Sequence, residues 1–240
     1  MELEAKDRLV LPLDVADIDE ANEIISSLKE GVGVFKVNSL FTHCGCDIVE
    51  AIQNANCKVF LDLKFHDIPN TVANYSRIAA RMGVYMFNVH CSGGLEMMKA
   101  AADASRDESE KLGFEKPLVL GVTILTSIDQ KSLNDDLRIN GTVVEQVVHL
   151  AKLAKKAGLD GVVASPHEIE AIKKACGKDF VVLTPGIRPK WSLGAKDDQK
   201  RIMTPADAIK KGSDFIVIGR PILEAKDRKD AAKKVLDERR

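Results

Sequence analysis

The chain has almost no net charge. Across 240 residues, 35 Lys and Arg against 36 Asp and Glu leave −1. It therefore has no broad basic field for gripping nucleic acid or an anionic membrane, though a small local anion site needs only a few residues. It also lacks long apolar runs. The longest, such as Pro117–Leu125, are strand-sized and fall well short of the ~18 residues a membrane span needs. The N-terminus, Met1-Glu2-Leu3-Glu4-Ala5-Lys6-Asp7, has no basic segment followed by an apolar one. No secretory leader is expected, and a cytoplasmic protein is. The five cysteines, Cys44, Cys46, Cys57, Cys91 and Cys176, are odd in number and scattered. That argues against a disulfide framework, and the gap between Cys44 and Cys46 is tighter than that of a zinc knuckle. Reduced, mostly buried thiols are expected.

What is present is ordinary in amount and regular in order. Hydrophobic residues make up 45% and charged residues 30%, which suits a folded globular chain and argues against disorder. Apolar, β-branched runs recur at Leu9–Leu13, Val32–Val37, Lys58–Leu63, Tyr85–Val89, Leu118–Thr123, Gly161–Ala164, Phe180–Leu183 and Phe215–Ile218. They are continuous rather than alternating, as covered parallel strands are. Between them lie amphipathic stretches: Ile18–Glu30, Leu40–Asn54, Thr71–Arg81, Gly94–Lys111, Gly141–Ala157, Pro166–Ala175, Pro205–Lys211 and Pro221–Arg240. Asp17 and Thr204 stand where helices should start, and Gly31, Gly83, Gly158 and Gly212 where they should stop. Eight such pairs at about 30 residues each, with no linker between them, match the βα repeat. The expected fold class is α/β: a single (β/α)8 barrel of TIM type spanning residues 1–240, with a doubly wound open sheet as the rival.

Active residues of such a barrel lie at the C-terminal strand ends. Three of the eight apolar runs end in charge there, and interior charges are costly unless paired. Asp14 ends the first run, Lys36 the second, and Asp62 and Lys64 the third, with Asp67 just beyond. Asp62 and Lys64 are two apart, so a regular strand would project both into the interior. An ammonium group beside carboxylates is a poor Schiff-base nucleophile but suits proton donation to a strongly basic carbon. Asp-x-Lys alone fits a buried salt bridge at least as well; Asp14 and Lys36 at neighbouring ends favour a site. Gly219 and Arg220 follow the eighth run, where backbone N–H groups and a guanidinium suit a phosphate. Pro185, Gly186 and Arg188 follow the seventh, and barrels often bind phosphate between these two loops. The polar stretch Pro185–Met203 is long enough for a lid, with Gln199 as a candidate phosphate contact. Asp62, His66, Asp67 and His90 have no recognised metal-ligand spacing, and no metal is expected.

These residues carry a resemblance. Leu13-Asp14-Val15, Phe35-Lys36-Val37 and Leu61-Asp62-Leu63-Lys64-Phe65-His66-Asp67-Ile68-Pro69-Asn70-Thr71 occur in order. Asn88-Val89-His90 with Ser92-Gly93-Gly94 follows. Thr184-Pro185-Gly186-Ile187-Arg188-Pro189, Asp198-Gln199-Lys200-Arg201 and Ile218-Gly219-Arg220-Pro221 complete the series. The chain resembles the single-domain bacterial orotidine 5′-phosphate decarboxylases over nearly its whole length. Cys91 stands where a small residue such as Ala is expected.

The resemblance implies cofactor-independent decarboxylation of orotidine 5′-monophosphate to uridine 5′-monophosphate. Lys64 would protonate the pyrimidine carbon, and Asp62 would sit beside the departing carboxylate. Lys36 and Asp14 would hold the ribose hydroxyls and extend the charge network of the catalytic residues. Thr126 and Ser127 would meet the pyrimidine edge. Pro185, Gly186, Arg188, Gln199, Gly219 and Arg220 would surround the phosphate and lid. Asp67 and Thr71 would reach the neighbouring subunit's site, which implies a homodimer. A metal-dependent sugar-phosphate decarboxylase or synthase sharing Asp-x-Lys-x-x-Asp is the alternative enzyme. A phosphometabolite-binding barrel without catalysis is a third reading, disfavoured because a pure binder has no reason to keep Asp62 and Lys64 in a costly interior.

Overall fold

The computed structural model of the protein describes residues 4–192 and 203–238. Eight parallel strands close into a barrel in sequence order. They are β1 Leu9–Pro12, β2 Val34–Val37, β3 Lys58–Phe65, β4 Met86–His90, β5 Leu118–Val122, β6 Gly161–Val163, β7 Val181–Thr184 and β8 Phe215–Val217. Closure is made by β1 on β8, with Leu9 opposite Ile216 and Val10 opposite Val217. The expected (β/α)8 architecture is therefore the observed one, and each strand falls within a few residues of its apolar run.

The helices are α1 Ile18–Leu28, α2 Ser39–Cys44, α3 Asp47–Asn54, α4 Pro69–Arg81, α5 Gly94–Leu112, α6 Gln130–Asp135, α7 Val143–Lys156, α8 Ile169–Cys176, α9 Pro205–Lys210, α10 Arg220–Leu223 and α11 Arg228–Glu238. Two expected continuous helices are split. The stretch 40–54 breaks at Gly45, whose φ of 59° leaves helical space. The stretch 221–240 breaks because Asp227 accepts the Asp230 N–H at 2.9 Å and so starts a new helix. Helix α6 has no counterpart among the expected segments. Its start is also local chemistry, the Asp129 side chain accepting the Ser132 N–H at 3.0 Å. Asp17 and Thr204 cap α1 and α9 as expected. Among the described helices, none is long and apolar enough to cross a membrane.

Strand alternation sets two concentric cores. Val10, Val34, Phe60, Met86, Leu120, Leu183, Phe215 and Val217 fill the barrel interior. Leu11, Phe35, Leu61, Phe87, Val119, Val162 and Ile216 face the helices in a second, larger cluster. Each buried Leu or Phe contributes roughly 1.5–3 kcal/mol through burial alone. Two residues beyond Val34, Phe60 and Met86, the same inward direction is held by Lys36, Asp62 and Asn88. The interior thus turns from apolar to polar over one layer.

The opposite end of the barrel is tied by side chains. Asp160, before β6, takes the Lys116 ammonium at 2.6 Å and the Val119 N–H of β5 at 2.8 Å. Asp214, before β8, takes the Lys173 ammonium at 2.8 Å and the Val182 N–H of β7 at 2.7 Å. Both aspartates follow a positive-φ helix-ending glycine by two residues, Gly158 and Gly212. Gly83 ends α4 in the same way, whereas Gly31 keeps negative φ.

Candidate active site

Asp62 is the centre of the polar layer, and the residue is only 7% exposed. Its Oδ2 lies 3.0 Å from the Lys36 Nζ. Its Oδ1 accepts from the Lys64 Nζ at 2.7 Å and from the Asn88 Nδ2 at 2.6 Å. Lys36 also approaches Asp14 Oδ1 at 3.8 Å, at the exposed mouth of the barrel. Burial alone would push the Asp62 carboxyl up. The Lys36 and Lys64 ammonium groups, with the hydrogen bonds from Lys64 and Asn88, outweigh it and hold the group below its ordinary value of 3.8. Asp62 is therefore an anion at neutral pH, with a cation on each oxygen.

Lys64 reaches this position by an irregular route. A regular β3 would project Asp62 and Lys64 alike. Instead the ladder with β4 slips between Leu61 and Phe65, and Lys64 takes a left-handed φ of 51°. Such a conformation costs a non-glycine residue about 1–2 kcal/mol. The two side chains do meet, as their spacing suggests, but through a bulge rather than through strand alternation.

The cavity above Asp62 is bounded by Lys36, Asp62, Lys64, Ile124, Leu125, Thr126, Ala164 and Pro185, over a floor of Phe60 and Val217. The structure thus brings Lys36, Asp62, Lys64, Thr126 and Pro185 together, with Asp14 on Lys36 at the rim. Ser127 is exposed beside Thr126 and is not among the lining residues.

Gly186 and Arg188 follow β7. Gly186 takes a φ of 77°, and Arg188 is 8% exposed. The Arg188 N–H reaches the Met203 carbonyl at 2.9 Å. Gly219 and the exposed Arg220 follow β8. A Cβ built on Gly219 would stand 2.8 Å from Pro12 Cγ, so the approach of this loop to β1 requires glycine. Gln199, and with it the expected lid contact, lies outside the described residues.

Asp67 and Thr71 lie away from this cavity. Asp67 is exposed and accepts the Ile68 N–H at 2.6 Å. Thr71 sits in the first turn of α4. Around them Ile68 is 66% and Ile78 50% exposed. A shallow, mostly apolar depression joins Phe41, Tyr75, Ile78 and Met82 to Lys64 and Asp67. The His66 and His90 rings lie with centroids 5.3 Å apart and their planes tilted by 38°. Burial, the facing His66 and Lys64 hold the His90 imidazole below its ordinary value, against the pull of Asp62.

Sequence reasoning alone misses Asn88 as a site residue. A signal for it exists: it is an amide within the apolar run Met86-Phe87-Asn88-Val89, at inward register with Met86. It is 1% exposed. Besides bonding Asp62, its Oδ1 accepts the Lys64 backbone N–H at 2.8 Å.

Comparison with known proteins agrees with this arrangement. Residues 7–235 match a family described as Orotidine 5′-phosphate decarboxylase / HUMPS family. A protein of Syntrophomonas wolfei named orotidine 5′-phosphate decarboxylase is 48% identical over 238 residues, covering 98% of this chain and 99% of its own. One of the same name from Trichlorobacter lovleyi is 51% identical over 236 residues, covering 98% and 96%. The crystal structure of orotidine 5′-phosphate decarboxylase from Lactobacillus acidophilus superposes with a TM-score of 0.85 at 36% identity, covering 97% and 99%.

Proposed function

The chain belongs to the orotidine 5′-phosphate decarboxylase / HUMPS family, and from that premise we propose that it converts orotidine 5′-monophosphate to uridine 5′-monophosphate, a step of pyrimidine biosynthesis. The observation that carries the reading is the buried Asp62 carboxylate held between the Lys36 and Lys64 ammonium groups beneath an open cavity. In this reading the substrate carboxylate lies against Asp62, and Lys64 faces the ring carbon that bears it. The bond from that carbon to the carboxylate breaks, carbon dioxide leaves, and the electron pair stays on the ring carbon. The Lys64 ammonium donates its proton there, and solvent returns one to the amine.

The electron pair lies in the ring plane and has no π sink. Its stabilisation must therefore come from a cation already in place, which needs no reorganisation during the reaction. Lys64 is placed for this by the bulge and by Asp62. Lys36 and Asp14 hold the ribose hydroxyls, while Thr126 contacts the base. Arg188, Gly186, Gly219, Arg220 and Gln199 take the phosphate, and Pro185 lines its approach. Binding energy gained at the phosphate is then available to align the distant carbon.

The site is completed by a second copy of the chain. Asp67 and Thr71 reach the partner's cavity, and exposed Ile68, Tyr75 and Ile78 supply apolar surface for the contact. The setting is cytoplasmic.

The test is the absorbance loss of orotidine 5′-monophosphate, with and without chelator, for wild type and Lys64→Ala. Turnover that survives chelation and is lost in Lys64→Ala is expected. Turnover only of a sugar phosphate, abolished by chelation, would transfer the protein to the metal-dependent branch. Near-normal turnover by Lys64→Ala would remove the proton-donor role.

A further inference from the structure

Between β3 and β4 the ladder is unequal. Leu61 pairs with Phe87 and Phe65 with Val89. Three residues, Asp62, Leu63 and Lys64, therefore stand opposite one, Asn88. Two residues are in excess on β3, and the regular backbone bonds cannot be made across the gap. A buried N–H left unpaired there would be costly. The Asn88 side chain replaces the missing ladder. Its Oδ1 accepts the Lys64 N–H at 2.8 Å, and its Nδ2 donates to Asp62 Oδ1 at 2.6 Å.

These two partners fix the amide without ambiguity. A backbone N–H can only donate and a carboxylate can only accept, so the oxygen must face Lys64 and the nitrogen Asp62. The same carboxylate oxygen takes the Lys64 ammonium. One amide thus grips Lys64 at its backbone and, through Asp62, at the tip of its side chain. The left-handed φ of Lys64 is a conformation that persists only when its surroundings over-determine it, and Asn88 is the contact that does so from the neighbouring strand.

We infer that Asn88 is a positioning residue for the decarboxylation: its carboxamide locks the β3 bulge and so sets where the Lys64 ammonium and the Asp62 carboxylate stand relative to each other. The inference rests on the proposed roles of those two residues. Other side chains cannot do the same. Leucine has the volume but neither polar atom. Aspartate can accept from Lys64 but places a carboxylate against Asp62, unless the pair shares a proton.

Asn88→Leu and Asn88→Asp test this in the full-length protein, with kcat and KM measured over an acid-to-neutral pH series. Misplacement of reacting groups by about 1 Å can cost about 10²-fold, so Asn88→Leu should lose on that order in kcat, with KM altered less than about threefold. Asn88→Asp should be similarly impaired at neutral pH. It should recover relative to wild type as pH falls, because protonation of the introduced carboxyl restores both a donor and an acceptor. A merely structural role would not produce that opposite pH trend.

Folded variants with kcat within about threefold of wild type would overturn the inference, as would a loss confined to KM or an Asn88→Asp profile parallel to wild type. Failure of both variants to fold at any pH would overturn it too, since the amide would then serve folding. Lys64→Ala separates the two failures. An inactive Lys64→Ala beside fully active Asn88 variants removes only the present inference, whereas an active Lys64→Ala removes the reading beneath it.

Discussion

Replacing Lys36 by methionine removes one of the two cations on Asp62 and leaves the apolar stem. The Lys36 Nζ and Asp62 Oδ2 are 3.0 Å apart, with side chains only 12% and 9% exposed. At an effective dielectric of about 20, the attraction between unit charges at that distance is about 5.5 kcal/mol. Removing one partner of a buried pair typically costs about 3–5 kcal/mol, because the other charge remains buried. Asp62 keeps Lys64 and Asn88, so the lower end, about 3 kcal/mol, is the expected loss for Lys36→Met at neutral pH.

The loss should depend on pH with a definite sign. The Asp62 carboxyl sits below 3.8 in the folded wild type, so its contribution to stability is complete above that value and disappears as pH falls through the lowered one. In Lys36→Met the carboxyl titrates higher. The gap between the two proteins should therefore be widest near neutral pH and close in acid. The double variant Lys36→Met/Asp62→Leu should regain only part of the loss. Replacing both partners by apolar groups is often nearly neutral, and Lys64, with 30% of its side chain exposed, can hydrate, but the buried Asn88 Nδ2 then loses the Asp62 oxygen it donates to. Urea unfolding at fixed protein concentration measures all three. A Lys36→Met loss below about 1 kcal/mol, within the range of exposed pairs, or one constant with pH, would refute the reasoning.

Two further outcomes are expected. In Gly219→Ala the new methyl would stand 2.8 Å from Pro12 Cγ; the resulting shift of the β8 loop should raise KM about tenfold, equivalent to about 1.4 kcal/mol, and an unchanged KM would remove Gly219 from the phosphate site. Mixing inactive Lys64→Ala with inactive Asp67→Ala should restore activity in hybrid dimers, each with one intact composite site; no recovery after subunits are shown to exchange would confine Asp67 to its own chain.

Most of the barrel was legible because buried parallel strands are continuous apolar runs, and charges such as Lys36 and Asp62 stand out against them. What stayed hidden depends on a second segment. The slip of β3 exists only relative to β4, so nothing within Asp62-Leu63-Lys64 announces that Lys64 is left-handed. Asn88 carried a local sign, polarity within an apolar strand, but its purpose required the bulge to be seen. The split of 40–54 was the opposite case. Gly45 marked it, but the apolar period on either side of the glycine suggested continuity.

The clasps at the end of the barrel opposite the cavity have a dynamic consequence. Asp160 binds the backbone of β5 from the start of β6, and Asp214 that of β7 from the start of β8. Fraying either member of a pair must break an ion pair as well as ladder bonds, so the two strands of each pair should exchange their amide hydrogens as one cooperative unit. The loops beyond β5 and β7, which carry Thr126 and Arg188, can then move with the ligand while the strands beneath them keep their register.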